Sequence, residues 1–411
     1  MMQKWYKILG PGLLYAGAAI GVSHLVQSTR AGAEFGYGLV WAVFVANILK
    51  YPFFEFGPRY AAVTGKSLLE GYQSLGKWSV YLFLALTFCS MFIIQSAVTV
   101  VTAGIASEIT GVSVPVWLFS AILLAICSII LMIGKFKLLD ISMKVIILVL
   151  TTSTIVALIA SFTGNNVKYE EHMTSFVFSD KSHILFLIAL MGWMPAPLDL
   201  SVWHSLWTLE KKKESPEINL KSTLLDFNIG YWGTLVLALF FLILGSVTIY
   251  GSGIQLESSG AKFANQLIGI YTNNIGKWSY FIIAVAAFTT MLSTTLTCLD
   301  AQPRVISSTL KLLHPKTNEN KHYWIWLFVL ATGVTLIVAF FMTNMRTLID
   351  FATIIAFVTS PILAIMNYLV ITSKNVPKQY QPNRFLKILS WLGITYFIGF
   401  TIYFLFITFN G

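Results

Sequence analysis

Polar positions along this chain gather in short clusters, and the stretches between them are apolar runs of helix length. A bilayer core takes about 20 apolar residues per helix. Eleven segments meet that length, at roughly 8–34, 38–63, 78–106, 115–134, 138–162, 183–208, 227–250, 277–300, 322–342, 347–371 and 385–409. None shows the alternation of a membrane β-strand, which spans in about 9–11 residues, so a β-barrel is rejected. Too little chain lies between the segments for a soluble domain, and residues 1–411 read as one transmembrane domain. The stretch from Met1 to Lys7 is short and basic, but the apolar run after it has no small-residue cleavage site, so the first helix is expected to stay in place.

Composition agrees with this pattern: 56% hydrophobic residues, 11% charged residues and a mean hydropathy of +0.76 place the chain in lipid rather than water. The net charge of +10 raises nucleic acid as a partner, but the basic residues sort by loop. Lys66, Lys77, Lys135, Lys137, the run Lys211–Lys213, Lys221 and Lys311 all fall on one side if the N-terminus is cytoplasmic. The positive-inside rule then puts the N-terminus inside the cell (inner) membrane and the C-terminus outside. Topology accounts for the basic excess, so the expected partners are the lipid bilayer and a small ion or solute, with no nucleic acid, for a chain acting as a monomer. Cys89, Cys127 and Cys298 all lie within apolar segments and read as small buried hydrophobes. No nucleotide-binding loop, nucleophile elbow or His-Glu-x-x-His pattern is present, so neither an enzyme nor a cofactor is expected.

Two segments are interrupted near their centres. In the first, Gly21-Val22-Ser23-His24 follows a small-residue run and places a histidine at mid-membrane depth. In the sixth, Met194-Pro195-Ala196-Pro197 sets two prolines one residue apart, which removes backbone donors and breaks the helix. Non-helical backbone at that depth survives only where it is buried in protein or lines a cavity. Interruptions at matched places in two halves point to a transporter binding site. The spacing of five helices predicts an inverted repeat, with repeat one at about 8–162, repeat two at about 183–371 and an extra helix at about 385–409.

Three stretches carry a family resemblance: Gly10-Pro11-Gly12, the run from Arg30 to Trp41, and Met194-Pro195. In these the chain resembles the Nramp family of proton-coupled divalent-metal transporters. The resemblance implies an all-α membrane protein of about 11 transmembrane helices in the LeuT-like 5+5 inverted repeat plus one helix, with helices 1 and 6 interrupted at mid-membrane. It also implies a transported divalent transition-metal cation. The chain departs from the family at the ligands themselves. Gly21-Val22-Ser23-His24 stands where the family has Asp-Pro-Gly-Asn, Ala196-Pro197 where it has His-Asn, Ser201 at its later histidine, and Thr359 at a helix-ten glutamine.

The candidate substrate residues are therefore Gly21, Ser23, His24, Met191, Met194, Ala196, Asp199 and Thr359. Within this set, His24, Met194 and Asp199 are the candidate metal ligands: an imidazole, a soft thioether and the carboxylate nearest the second break. His24, Glu55 and Asp199 are the candidates for a proton pathway. Glu55 also has Lys50 and Arg59 as possible partners, Asp140 and Lys144 are spaced to pair with each other, and Asp226, Asp300 and Asp350 read as caps or snorkelling groups near segment ends. His204 reads as an interfacial residue. Three functions stay open: a metal-ion transporter with an altered site, a transporter of a small organic or anionic solute, and a membrane sensor that does not transport.

Overall fold

The computed structural model describes residues 9–112, 114–133, 136–163, 170–257, 260–341 and 345–410. Among them the regular structure is entirely helical. The first segment divides into α1 (Pro11–Ala19), a π-helical stretch (Ser23–Ser28) and α2 (Thr29–Phe35). The second is α3 (Val40–Thr64), followed by the short α4 (Leu68–Leu75). Next come α5 (Lys77–Thr110), α6 (Val116–Ile133) and α7 (Phe136–Thr163). The sixth segment divides into α8 (Lys181–Trp193) and α9 (Leu200–Glu214). The rest are α10 (Leu220–Thr248), α11 (Gly260–Ile275), α12 (Tyr280–Leu313), α13 (Glu319–Phe340), α14 (Met345–Ile371) and α15 (Arg384–Asn410).

All eleven expected segments are present, both interruptions included. Two helices lie outside the expectation, and each is too short or too polar to register as a span. A capping box starts α4, with Glu70 N–H donating to Ser67 Oγ and Ser67 N–H donating to Glu70 Oε2. α11 is amphipathic, and buries Phe263, Ala264, Leu267 and Ile268 on one face.

Among the described residues, eight helices are long and apolar enough to cross a bilayer. The shortfall from eleven has a physical origin. The first and sixth segments are split into halves, and α3 spends its 25 residues partly on Lys50, Glu55 and Arg59. Those polar groups face protein: Lys50 is wholly buried, as is nearly all of Glu55. Lipid-facing positions look different, with Ile133, Phe340 and Phe341 three-quarters or more exposed. Asp140 and Lys144, expected to pair, have side chains outside the described residues.

The halves of the first segment lie directly against α10. A methyl group on Gly12 would overlap the Asp226 carbonyl, and one on Gly32 would overlap the Leu242 carbonyl. Glycine at both places lets two backbones meet, the usual device for tight helix contact in lipid. Asp226 also caps α1 from across the fold, accepting from Gly10 N–H at 3.0 Å and Gly12 N–H at 2.7 Å. It is thus the cap that its position near a segment end suggested. The first segment is fixed along its length, with its break held at the centre of the molecule.

Candidate substrate site

The first break begins where the backbone leaves α1. Ile20 N–H still reaches Ala16 O at 2.7 Å, but Gly21 N–H turns to Ala19 O at 2.9 Å. The Thr294 hydroxyl of α12 faces the freed carbonyls of Gly17 and Ile20 at 3.0 and 3.3 Å. Ser23 Oγ lies 2.8 Å from the Ala19 carbonyl and 2.7 Å from His24 Nδ1. On the other edge of the imidazole, Nε2–H donates to the Thr234 carbonyl of α10 at 3.0 Å. Both ring nitrogens of His24 are therefore engaged by the protein, and the ring is fully buried.

The second break follows from its prolines. Pro195 and Pro197 carry no N–H, so the carbonyls of Met191 and Trp193 lose their i+4 partners, and the backbone leaves the helix at Met194. The side chain of Lys50 fills the gap from α3, its ammonium donating to Gly192 O at 2.6 Å and Ala196 O at 3.2 Å. Asp199 stands at the start of α9. Its side chain makes no capping bond, and Oδ1 has no hydrogen-bond partner although the residue is only 8% exposed.

A small cavity of about 30 Å³ lies between the breaks. Helix one contributes Ala18, Val22 and Ser23, and helix six contributes Trp193, Pro197, Asp199 and Trp203. Ile94 and Val98 of α5 and Thr294 and Cys298 of α12 close it. Asp199 also borders a second, smaller space of about 10 Å³, together with Thr87, Ser90, Pro197 and Thr359. Asp199 is thus a buried carboxylate with one oxygen free of hydrogen bonds, standing between two cavities. Such a group carries a large desolvation penalty unless a proton or a cation meets it.

Of the sequence candidates, Ser23 and Asp199 share the first cavity and Thr359 and Asp199 share the second. His24 and Met194 line neither, because His24 turns to α10 and Met194 is buried at the end of α8. Met191 sulfur receives the Tyr396 hydroxyl at 2.8 Å. Gly21 lies against the Thr294 side chain, and Ala196 offers its carbonyl to Lys50. Glu55 is joined to Arg59 by a two-pronged ion pair. Among the described residues no group of three or more His, Cys, Asp or Glu side chains forms a ligand cluster.

Sequence reasoning missed two arrangements. Arg30 of α2 pairs with Asp350 of α14 at 2.7 Å and with Gln27 Oε1 at 2.8 Å, while Gln27 Nε2 donates to Asp350 at 3.2 Å. This bar ties helix one to helix ten beyond the cavity. Its sequence signal was an arginine that is 3% exposed once folded, standing one residue after the polar pair Ser28-Thr29. The second is His204, which is wholly buried rather than interfacial, with its ring 5.7 Å from those of both Tyr15 and Phe227.

With that geometry in place, comparison decides the family. The family model described as natural resistance-associated macrophage protein-like matches residues 12–407. The chain belongs to the Nramp family. An uncharacterized protein of Pasteurella multocida (strain Pm70) is 34% identical over 404 residues, covering 97% of this chain and 92% of that protein. A manganese transporter of Eremococcus coleocola superposes with a TM-score of 0.74 at 15% identity, over 98% of this chain and 87% of that one. MhsT, solved in complex with L-phenylalanine, superposes with a TM-score of 0.65 at 14% identity, over 100% and 99% of the two chains. This Nramp protein is therefore a multi-pass membrane transporter of the LeuT-like fold, as its broken helices predict.

Proposed function

We propose that this Nramp protein is a secondary-active transporter of a divalent transition-metal cation, working by alternating access about helices one and six through a site rebuilt around Asp199. The observation that carries this reading is the Asp199 carboxylate, buried, unpartnered at Oδ1 and bordering the cavity between both breaks. It supplies the negative charge that Gly21 no longer offers in helix one. Ser23, Thr359 and carbonyls of the two breaks are the oxygen donors around it. Met194, buried in the same break, is the soft donor that favours a transition metal over magnesium once side chains rearrange. His24 is a further metal ligand or a proton carrier in that rearranged site, and Glu55 a second proton group reached only by parting from Arg59. The driving gradient in this reading is protons, and the orientation is N-terminus in, in the cell membrane. The two five-helix repeats are the bodies that move against each other.

Apolar walls favour a second reading, a small organic solute. Trp193, Trp203, Ile94 and Val98 surround the one carboxylate, and such walls bury carbon rather than bind a bare ion. Calorimetric titration of purified protein with manganese, cadmium and magnesium separates the two. The metal reading expects manganese or cadmium to bind, and at least about tenfold more weakly in Asp199→Asn, a change of about 1.4 kcal/mol. Met194→Ala is expected to weaken cadmium more than magnesium. No divalent binding at millimolar concentration sinks the metal reading and turns attention to organic solutes.

A further inference from the structure

A lysine ammonium inside a membrane protein is expensive unless something specific receives it. The Lys50 side chain is fully buried, and its ammonium is received by backbone alone, Gly192 O at 2.6 Å and Ala196 O at 3.2 Å. In an unbroken helix the Gly192 carbonyl would accept from Ala196 N–H. The break removes that donor, and the neighbouring carbonyls of Met191 and Trp193 face prolines. The carbonyl end of α8 is also the negative end of a half-helix. Freed carbonyls at a negative helix end form a cation pocket, of the kind discontinuous helices use to bind ions in transporters. Here a covalently attached cation fills it. Across the same break stands Asp199, with an unpartnered oxygen.

We propose that Lys50 is a tethered cation: its ammonium occupies a cation site in the helix-six break and competes with a transported cation for the same carbonyls and for the charge of Asp199. The competition half of this inference rests on the cation-transport reading above; the tether does not. With Lys50 docked, the break and Asp199 together are close to neutral. A divalent cargo must then displace the ammonium or be repelled by it. Lys50 thus sets specificity by raising the threshold for any cation that enters.

The full-length protein in detergent tests this with Lys50→Ala and Lys50→Met. Lys50→Ala leaves a channel that a small alkylammonium fits, so its thermal midpoint is expected to rise by several degrees with ethylammonium chloride over choline chloride. The wild-type protein and Lys50→Met, whose thioether fills the channel, are expected not to respond. Titration with manganese and cadmium is expected to give Lys50→Met at least about tenfold tighter binding than wild type, which is about 1.4 kcal/mol. Ethylammonium rescue with no divalent binding in any variant supports the tethered site and removes the divalent cargo, so the two failures read differently. Absence of rescue in Lys50→Ala, with unchanged divalent affinity in Lys50→Met, overturns the proposal. Should Lys50→Ala not fold, unchanged affinity in Lys50→Met overturns it alone.

Discussion

At the scale of single residues, what separates structural from candidate binding groups is which buried polar atoms are satisfied. Asp226 spends its carboxylate on the N–H groups of Gly10 and Gly12, so its role is to hold α1. Asp226→Ala is expected to lower stability by about 1–2 kcal/mol, the value of a lost cap, read as a drop in thermal midpoint. Asp199 is the opposite case. Its Oδ1 makes no bond, so Asp199→Asn removes no hydrogen bond there and is expected to weaken cation binding at least about tenfold, read by calorimetric titration. The sequence contained enough to place Asp199 beside the second break, two residues past its second proline. It did not contain the direction of His24. Sequence gives depth along a helix axis but not the rotation of a distorted π-helical stretch, and that rotation carries the imidazole to the Thr234 carbonyl. Lys50 was visible as a buried charge, but its partner is a pair of backbone carbonyls, which no side-chain pattern announces.

At the scale of elements, both interruptions were legible because glycine and proline act on backbone hydrogen bonding directly. The helices α4 and α11 were not, since a search for spans passes over short amphipathic pieces. Contacts between elements were also hidden. Arg30 and Asp350 are 320 positions apart, yet their 2.7 Å pair ties α2 to α14. Hydrogen bonds to charged groups contribute about 1.5–3 kcal/mol, enough, on the alternating-access proposal, for this pair to bias a closed arrangement without locking it. Native Cys298, which lines the cavity and is 3% exposed, is a built-in reporter of that bias. In a Cys89→Ser, Cys127→Ser background, Asp350→Asn is expected to speed labelling of Cys298 by a membrane-impermeant thiol reagent added outside. Equal rates with and without Asp350 would show that the bar does not control access. Gly245 is a check on packing. A side chain there meets the Thr29 carbonyl, so Gly245→Val is expected to cost about 1–3 kcal/mol or more and to lower the yield of folded protein.

At the scale of the whole molecule, hydropathy carried most of the architecture. Eleven segments, two broken helices and the lipid-facing surface all follow from where apolar residues lie, because lipid leaves the backbone few alternatives to a helix. Cargo is a different kind of property. It depends on a few donors brought together from segments far apart in the chain, which hydropathy does not report. The scaffold therefore identifies a transporter, and the cargo has to come from the site. The central claim is that a divalent cation crosses the membrane at Asp199. It is tested most directly by uptake into proteoliposomes containing the purified protein, with an inward proton gradient and manganese or cadmium outside. The account predicts accumulation by the wild-type protein that collapses with the gradient and is absent in Asp199→Asn. Uptake no greater than in empty liposomes for both ions, or equal uptake by Asp199→Asn, would contradict it.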